Sequence, residues 1–176
     1  LPPLPAAAAT PAVGLPCGSV HAQSLLDRPD AVSGDWVGTS GTLYFHFVHR
    51  FSESGAPEHK VSNVPTFLVA AGLPMRLLAG LHYATNSQLA PRYPNEHEFF
   101  LRWSPIQQRE GAPLDVGGQA GYNIAAEGVD GELSLARRQG PVRAIVAARV
   151  LSNPYAVGET RFALAGGGTL RIGRWV

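Results

Sequence analysis

Residues 114–124 read LDVGGQAGYNI, and their reading decides the fold. Leu114, Val116, Gly118, Ala120, Tyr122 and Ile124 alternate with Asp115, Gly117, Gln119, Gly121 and Asn123. One set is apolar or small; the other is polar or glycine. A period of two belongs to a β-strand, whose successive side chains point to opposite faces. Residues 142–151, VRAIVAARVL, repeat the pattern, with Val142, Ala144, Val146, Ala148 and Val150 opposing Arg143, Ile145, Ala147 and Arg149.

Outward from these two stretches the same period recurs over 43–51, 76–84, 97–104, 132–137 and 161–172, with a shorter strand expected over 66–71 and a weak one over 88–93. Pro91 would confine the last to an edge or a bulge. Connections alternate between short (138–141, 125–130) and longer (52–63, 151–159), as in an outer-membrane barrel. The expected fold is all-β: an antiparallel up-and-down sheet of about seven to nine strands, forming a β-barrel, complete or incomplete, or a sandwich. Two regions are expected, an extended Pro/Ala-rich N-terminal arm over 1–40 and the sheet domain over 41–176.

Composition supports this. The chain has 176 residues, enough for one domain with a sizeable core. Twenty glycines and fifteen prolines disfavour long helices. No stretch approaches the ~20 apolar residues of a transmembrane helix. A net charge of +1 gives no global attraction for nucleic acid. The single cysteine, Cys17, cannot form an internal disulfide. Pro16 stands where a lipid-attachment motif needs a small residue, which argues against an anchor at Cys17. The chain opens at Leu1 rather than Met, so a removed leader or a fragment is expected.

The polar faces carry Arg50, Arg76, His82, Glu98, Arg102, Asp115, Gln119, Asn123, Arg143, Arg149, Arg161 and Arg171, with Gly and Ala between them. Such a set suits the packed lumen of a small barrel. The other faces are aliphatic and aromatic with almost no charge, as a lipid-facing band requires. Tyr44, Tyr83, Trp103, Tyr122 and Trp175 lie near expected strand ends, where interfacial aromatics gather. A soluble sheet alternates too, with its apolar face as the core. Low overall charge (15%), long strands and a lone Lys60 in a loop favour the membrane. The burial of Arg143 and Arg149 relative to Val146 and Val150 distinguishes the two.

Two segments carry a family resemblance: the strand ending His49-Arg50-Phe51, and Gly80-Leu81-His82-Tyr83-Ala84-Thr85-Asn86. They resemble an uncharacterised bacterial outer-membrane β-barrel family, in which a strand ending HRF precedes a GLxYGxTD strand. Ala84 replaces the family's Gly and Asn86 its Asp. The likeness runs loosely from about residue 40 to the C-terminus and implies a barrel without assigned catalytic residues. Members are generally longer. The end at Val176, with a strand starting at Trp175 and no final Phe, points to a truncated or incomplete barrel.

Constellations for chemistry are weak. His46 and His82 are candidates to meet across paired strands, with His97 nearby, but no spacing matches a zinc motif. Glu96 and Glu98 share a face and could pair as acid and base; an ion pair of Glu98 with Arg102 is the simpler reading. Gly166-Gly167-Gly168 lacks the lysine and helix of a phosphate loop. Neither catalytic residues, cofactor nor metal is expected. The expected role is structural or interactive, in the outer membrane. The alternative is a periplasmic β-sandwich subunit stabilising a larger membrane complex, its N-terminal arm forming a hetero-oligomer. A barrel for a small apolar ligand is a third reading. The expected partners are a lipid bilayer or a membrane-protein complex, and the expected location is the bacterial cell envelope.

Overall fold

The computed structural model describes residues 32–53, 55–57, 59, 61–84, 95–153 and 157–172, with side chains outside 50–53 and 61–64. Eight strands follow one another: β1 Leu43–Glu53, β2 Val61–Leu73, β3 Leu77–Ala84, β4 Glu96–Ile106, β5 Asp115–Asn123, β6 Gly128–Gln139, β7 Val142–Ser152 and β8 Thr160–Leu170. Each pairs antiparallel with the next, in one sheet of order β1 to β8. The sheet curls into a half-barrel, so the sandwich form of the expectation is not the one adopted. Among the described residues no ladder joins β8 back to β1.

The connections explain the strand limits. At the lower rim, β6 turns into β7 through Gly140 and Pro141, with Gln139 paired to Val142. Gly140 has φ +59°, the positive value that the first loop position of a two-residue hairpin demands. At the same rim, Pro74–Arg76 forms a short 3₁₀ turn between β2 and β3, with φ of 59° at Met75 and 61° at Arg76. The β4–β5 connection contains a second such turn, Gln108–Glu110. The upper rim carries the β1–β2, β3–β4, β5–β6 and β7–β8 connections. Two prolines sit where a strand can spare a donor. Pro65 faces His49 of β1 but lies just beyond the β2–β3 ladder, which begins at Thr66. Pro105 lies in the register shift between Trp103 and Ile106.

Several expected bounds move. The strand expected over 66–71 extends to 13 residues, and that over 132–137 to 12. The β2 extension runs into residues that lack alternation but continue the ladder with β1, and the β6 extension adds Gly128–Gly131 and Arg138–Gln139 in pairing with β5 and β7. Arg76, expected at the start of a strand, instead belongs to the 3₁₀ turn, because Pro74 interrupts pairing there. Residues 88–93, 1–31 with Cys17, and Trp175 lie outside the described residues.

The buried groups lie on the concave side, and they do not come from strands alone. Residues 32–37, just before β1, run across that face and are buried along their whole length. Trp36 and Val37 pack against Leu68, Ala70, Leu78 and Phe100, with Tyr44 beside them. Val32 packs against Ala136, Ile145 and Ala147. The segment is therefore apolar at both ends and polar in its middle, at Ser33 and Asp35.

Candidate functional site

Register builds the site. Leu78 of β3 faces Arg102 of β4, Arg102 faces Gln119 of β5, Gln119 faces Glu132 of β6, and Glu132 faces Arg149 of β7. Inward side chains on adjacent strands are near neighbours, so this row places four polar groups side by side. Arg102 donates from Nε and Nη2 to Gln119 Oε1, at 3.0 and 2.6 Å. Gln119 Nε2 donates to Glu98 Oε1 at 3.2 Å. Arg149 Nε lies 3.1 Å from Glu132 Oε2, a charge contact without hydrogen-bond alignment. The guanidinium of Arg102 also lies over the Phe100 ring, 5.4 Å from its centroid.

The row grips the N-terminal segment. Ser33 N donates to Glu132 Oε1 at 2.6 Å, and its hydroxyl donates to Gln119 Oε1 at 2.9 Å. Arg102 Nη1 donates to the Trp36 carbonyl at 3.0 Å. Arg143 Nη2 is ion-paired with Asp35 Oδ1. Burial pushes the Asp35 carboxyl up from its ordinary value, and Arg143 opposes the rise. Buried charge is costly unless paired. Here Asp35, Glu98 and Glu132 stand against Arg102, Arg143 and Arg149.

The convex face is the reverse. Its outward residues include Phe45, Phe47, Phe67, Val69, Leu81, Phe99, Leu101, Trp103, Leu133, Leu135, Val146, Val150, Phe162 and Leu164. Arg143 is 5% exposed, while Val146, three residues on, is 57% exposed. Arg149 is half-buried and Val150 exposed. Among the strand residues whose side chains are described, no Asp, Glu, Lys or Arg points outward except Arg137, near the lower rim; His49 and His97 mark the upper rim.

Most of the expected polar set thus occupies one concave surface: His82, Glu98, Arg102, Gln119, Asn123, Arg143 and Arg149. Asp115 sits at its lower end, accepting from Gln108 N at 2.6 Å. Arg161 is exposed on β8 and pairs with Glu159. Arg76 stands apart from the face: it donates to the Pro105 carbonyl at 2.6 Å and bridges Glu110 at 2.7 Å. Arg171 lies beyond β8, and its N–H donates to the Pro141 carbonyl at 2.9 Å. Arg50 belongs to β1, its side chain outside the described residues.

The aromatics divide. Tyr83, Trp103 and Tyr122 point outward; Tyr83 meets His97 with ring centroids 4.7 Å apart. Tyr44 turns inward instead. It packs edge-on against Trp36 at 4.9 Å, and its hydroxyl accepts from Thr39 N at 2.6 Å. Its parity with His46 and Val48 explains this.

His46 and His82 do not lie on paired strands, since Leu68 of β2 stands between them in the register, and His97 is on the other face. No cluster able to hold a metal occurs among the described residues. Glu96 and Glu98 do share the concave face, where Glu96 accepts from Asn123 Nδ2 at 3.1 Å. A cleft of about 350 Å³ opens at the lower rim between Val37–Ser40 and Leu73–Arg76, with Arg109 and Glu110 beside it. Its cations are engaged: Arg76 by Glu110, and Arg109 Nε by Gln107 Oε1 at 2.6 Å. The segment at 32–37 is the part of the site that periodicity missed. It has no period, and only the pairing of Ser33 and Asp35 with distant strands defines it.

Neither a family model, nor a curated protein, nor a solved structure matches this chain.

Proposed function

We propose that this chain is a non-enzymatic β-barrel element of the bacterial outer membrane, with a structural or interaction role. The observation that carries the reading is the inversion of the sheet: Arg143 inside, Val146 outside, and an outward band free of carboxylates and lysines among the strand residues whose side chains are described. Apolar patches on soluble monomers rarely exceed a few hundred Å². A band spanning eight strands needs a non-aqueous neighbour. Strand length fits a bilayer. Eleven residues at ~3.3 Å each span roughly 36 Å, and a tilt of about 45° brings that near the ~25 Å of an outer-membrane apolar band. Tyr83 and His97 at the upper rim stand where interfacial rings gather. No helix among the described residues is long and apolar enough to cross a membrane, so any crossing is made by strands. The HRF and GLxYGxTD resemblance agrees.

A periplasmic sandwich would bury its apolar faces between two sheets. Here the concave side is covered by 32–37, and none of the described residues covers the convex apolar side. The polar interior is held by its own ion pairs, which suits a scaffold better than a wide pore. Refolding into phosphatidylcholine vesicles followed by flotation tests the reading. The chain is expected to float with the lipid, keep a β-type circular dichroism spectrum and resist protease. A chain that stays monodisperse in buffer without detergent would overturn it.

A further inference from the structure

We infer that the lower rim is a docking face for anionic phospholipid, whose headgroup phosphates it takes on its arginines. The inference rests on the membrane reading and adds the lipid class and the rim that meets it. Charge is sorted along the strands. Midway up the concave face Arg102 and Arg149 stand against Glu98 and Glu132, and Arg143 is ion-paired with Asp35. These groups balance. The rims do not. At the lower rim Arg76, Arg109, Arg137, Arg138 and Arg171 stand against Glu110 and Asp115. At the upper rim, among residues whose side chains are described, Glu96, Glu127, Asp130 and Glu159 stand against Arg161. One rim is basic and the other acidic.

The lower-rim carboxylates are already committed. Glu110 bridges Arg76, and Asp115 accepts from Gln108 N. The arginines have capacity left. A guanidinium carries five N–H donors, and among the described residues Gln107 engages Arg109 through Nε. Arg109, Arg137 and Arg171 are exposed. Arg137 is on the convex face, where a long stem lies along apolar surface while its charged head reaches the phosphate level. Apolar groups adjoin these cations. Met75, 79% exposed, and Leu73 line the rim cleft of about 350 Å³ together with Arg76 and Arg109. Guanidinium beside exposed aliphatic side chain suits the boundary between headgroup and acyl chain.

Charge complementarity selects the lipid. A zwitterionic headgroup sets a cation beside its phosphate and gives an excess of guanidinium little net gain. An anionic headgroup gives that gain, about fivefold in binding for each arginine near the surface. The effect fades within a Debye length of roughly 8–10 Å at ordinary salt, so groups at the other rim do not share it. The carboxylates of the upper rim repel the same headgroup. A preference for anionic lipid therefore arises at the lower rim alone.

The test uses the full chain carrying Trp175→Phe, refolded into phosphatidylcholine vesicles. A minor share of the lipid is phosphatidylglycerol or phosphatidylcholine brominated in its acyl chains, which quenches indole fluorescence on contact. Trp103 is the reporter, since it points outward opposite Leu77, next to Arg76, while Trp36 is buried inside. Brominated phosphatidylglycerol is expected to associate at least about fivefold more strongly than brominated phosphatidylcholine at low salt. High salt should bring the two together. Arg137→Gln with Arg138→Gln is expected to remove most of the preference, and the exposed Arg109→Gln to lessen it. Arg161→Gln, at the upper rim, should leave it intact. Flotation and a β-type spectrum report that each variant is folded. Equal quenching by the two lipids at low salt would overturn the proposal. So would a preference that the lower-rim variants leave unchanged, or one that inorganic phosphate abolishes at matched ionic strength, which marks a site for the free anion. In these cases flotation leaves the membrane reading standing. A chain that does not float overturns both.

Discussion

The Asp35 carboxylate is ion-paired with the Arg143 guanidinium, joining residues 108 positions apart. Asp35 belongs to no strand, and Arg143 is the second residue of β7. The pair fixes the middle of the buried N-terminal segment to the far half of the sheet, while Arg102 fixes the Trp36 carbonyl to the near half. The segment bridges the two halves, with Trp36 and Val37 in the core cluster of β2–β4 and Val32 in that of β6 and β7.

Breaking the pair strands a buried charge. Arg143→Met is expected to destabilise the fold by roughly 3 kcal/mol, the usual cost of removing one partner of a buried pair. Asp35→Asn in the same chain should recover part of that loss. Urea unfolding in detergent, as a double-mutant cycle, measures the coupling.

Trp36 anchors the segment by packing. Trp36→Ala is expected to cost about 3–5 kcal/mol. The sheet itself should persist, since its ladders do not involve residue 36. Limited proteolysis should cut near residue 36 while the β-type spectrum remains.

Close approach at Gly117 gives a contrast. Gly117→Ala would drive a methyl into the Gly34 backbone and is expected to lose about 1–3 kcal/mol. Displacement of Trp36 toward water should shift its fluorescence to longer wavelength. Gly167→Ala meets nothing within 4 Å and should leave both readouts unchanged.

Depth dependence separates lipid from water on the convex face. Leu133 lies mid-strand and Val142 at the lower rim, both outward. In vesicles, Leu133→Arg is expected to cost about 2–4 kcal/mol and Val142→Arg about 0–1. Equal, near-zero effects at both sites would contradict the lipid-facing reading.

Alternation made the strands legible, because a period of two survives in every ladder from Leu43 to Leu170. It also sorted Arg143 and Arg149 from Val146 and Val150. It could not extend β2 through Val61–Pro65, where continued pairing with β1 rather than residue pattern sets the limit. It misplaced Arg76 because the break at Pro74 is a matter of backbone direction. The segment at 32–37 was illegible for a deeper reason. Its hydrogen-bond partners lie 66 to 108 residues away, and no local pattern encodes a partner that distant.

The row from Arg102 through Gln119 and Glu132 to Arg149 also acts as a check on assembly. A hairpin that slid by a single position would turn each of these groups onto the convex side and carry Val150 or Leu133 into the interior. A charged group facing hydrocarbon is rejected far more strongly than one facing water. On the proposed membrane reading, mispaired strands would therefore fail at insertion instead of persisting as near-native variants, and the lipid would select the correct alignment.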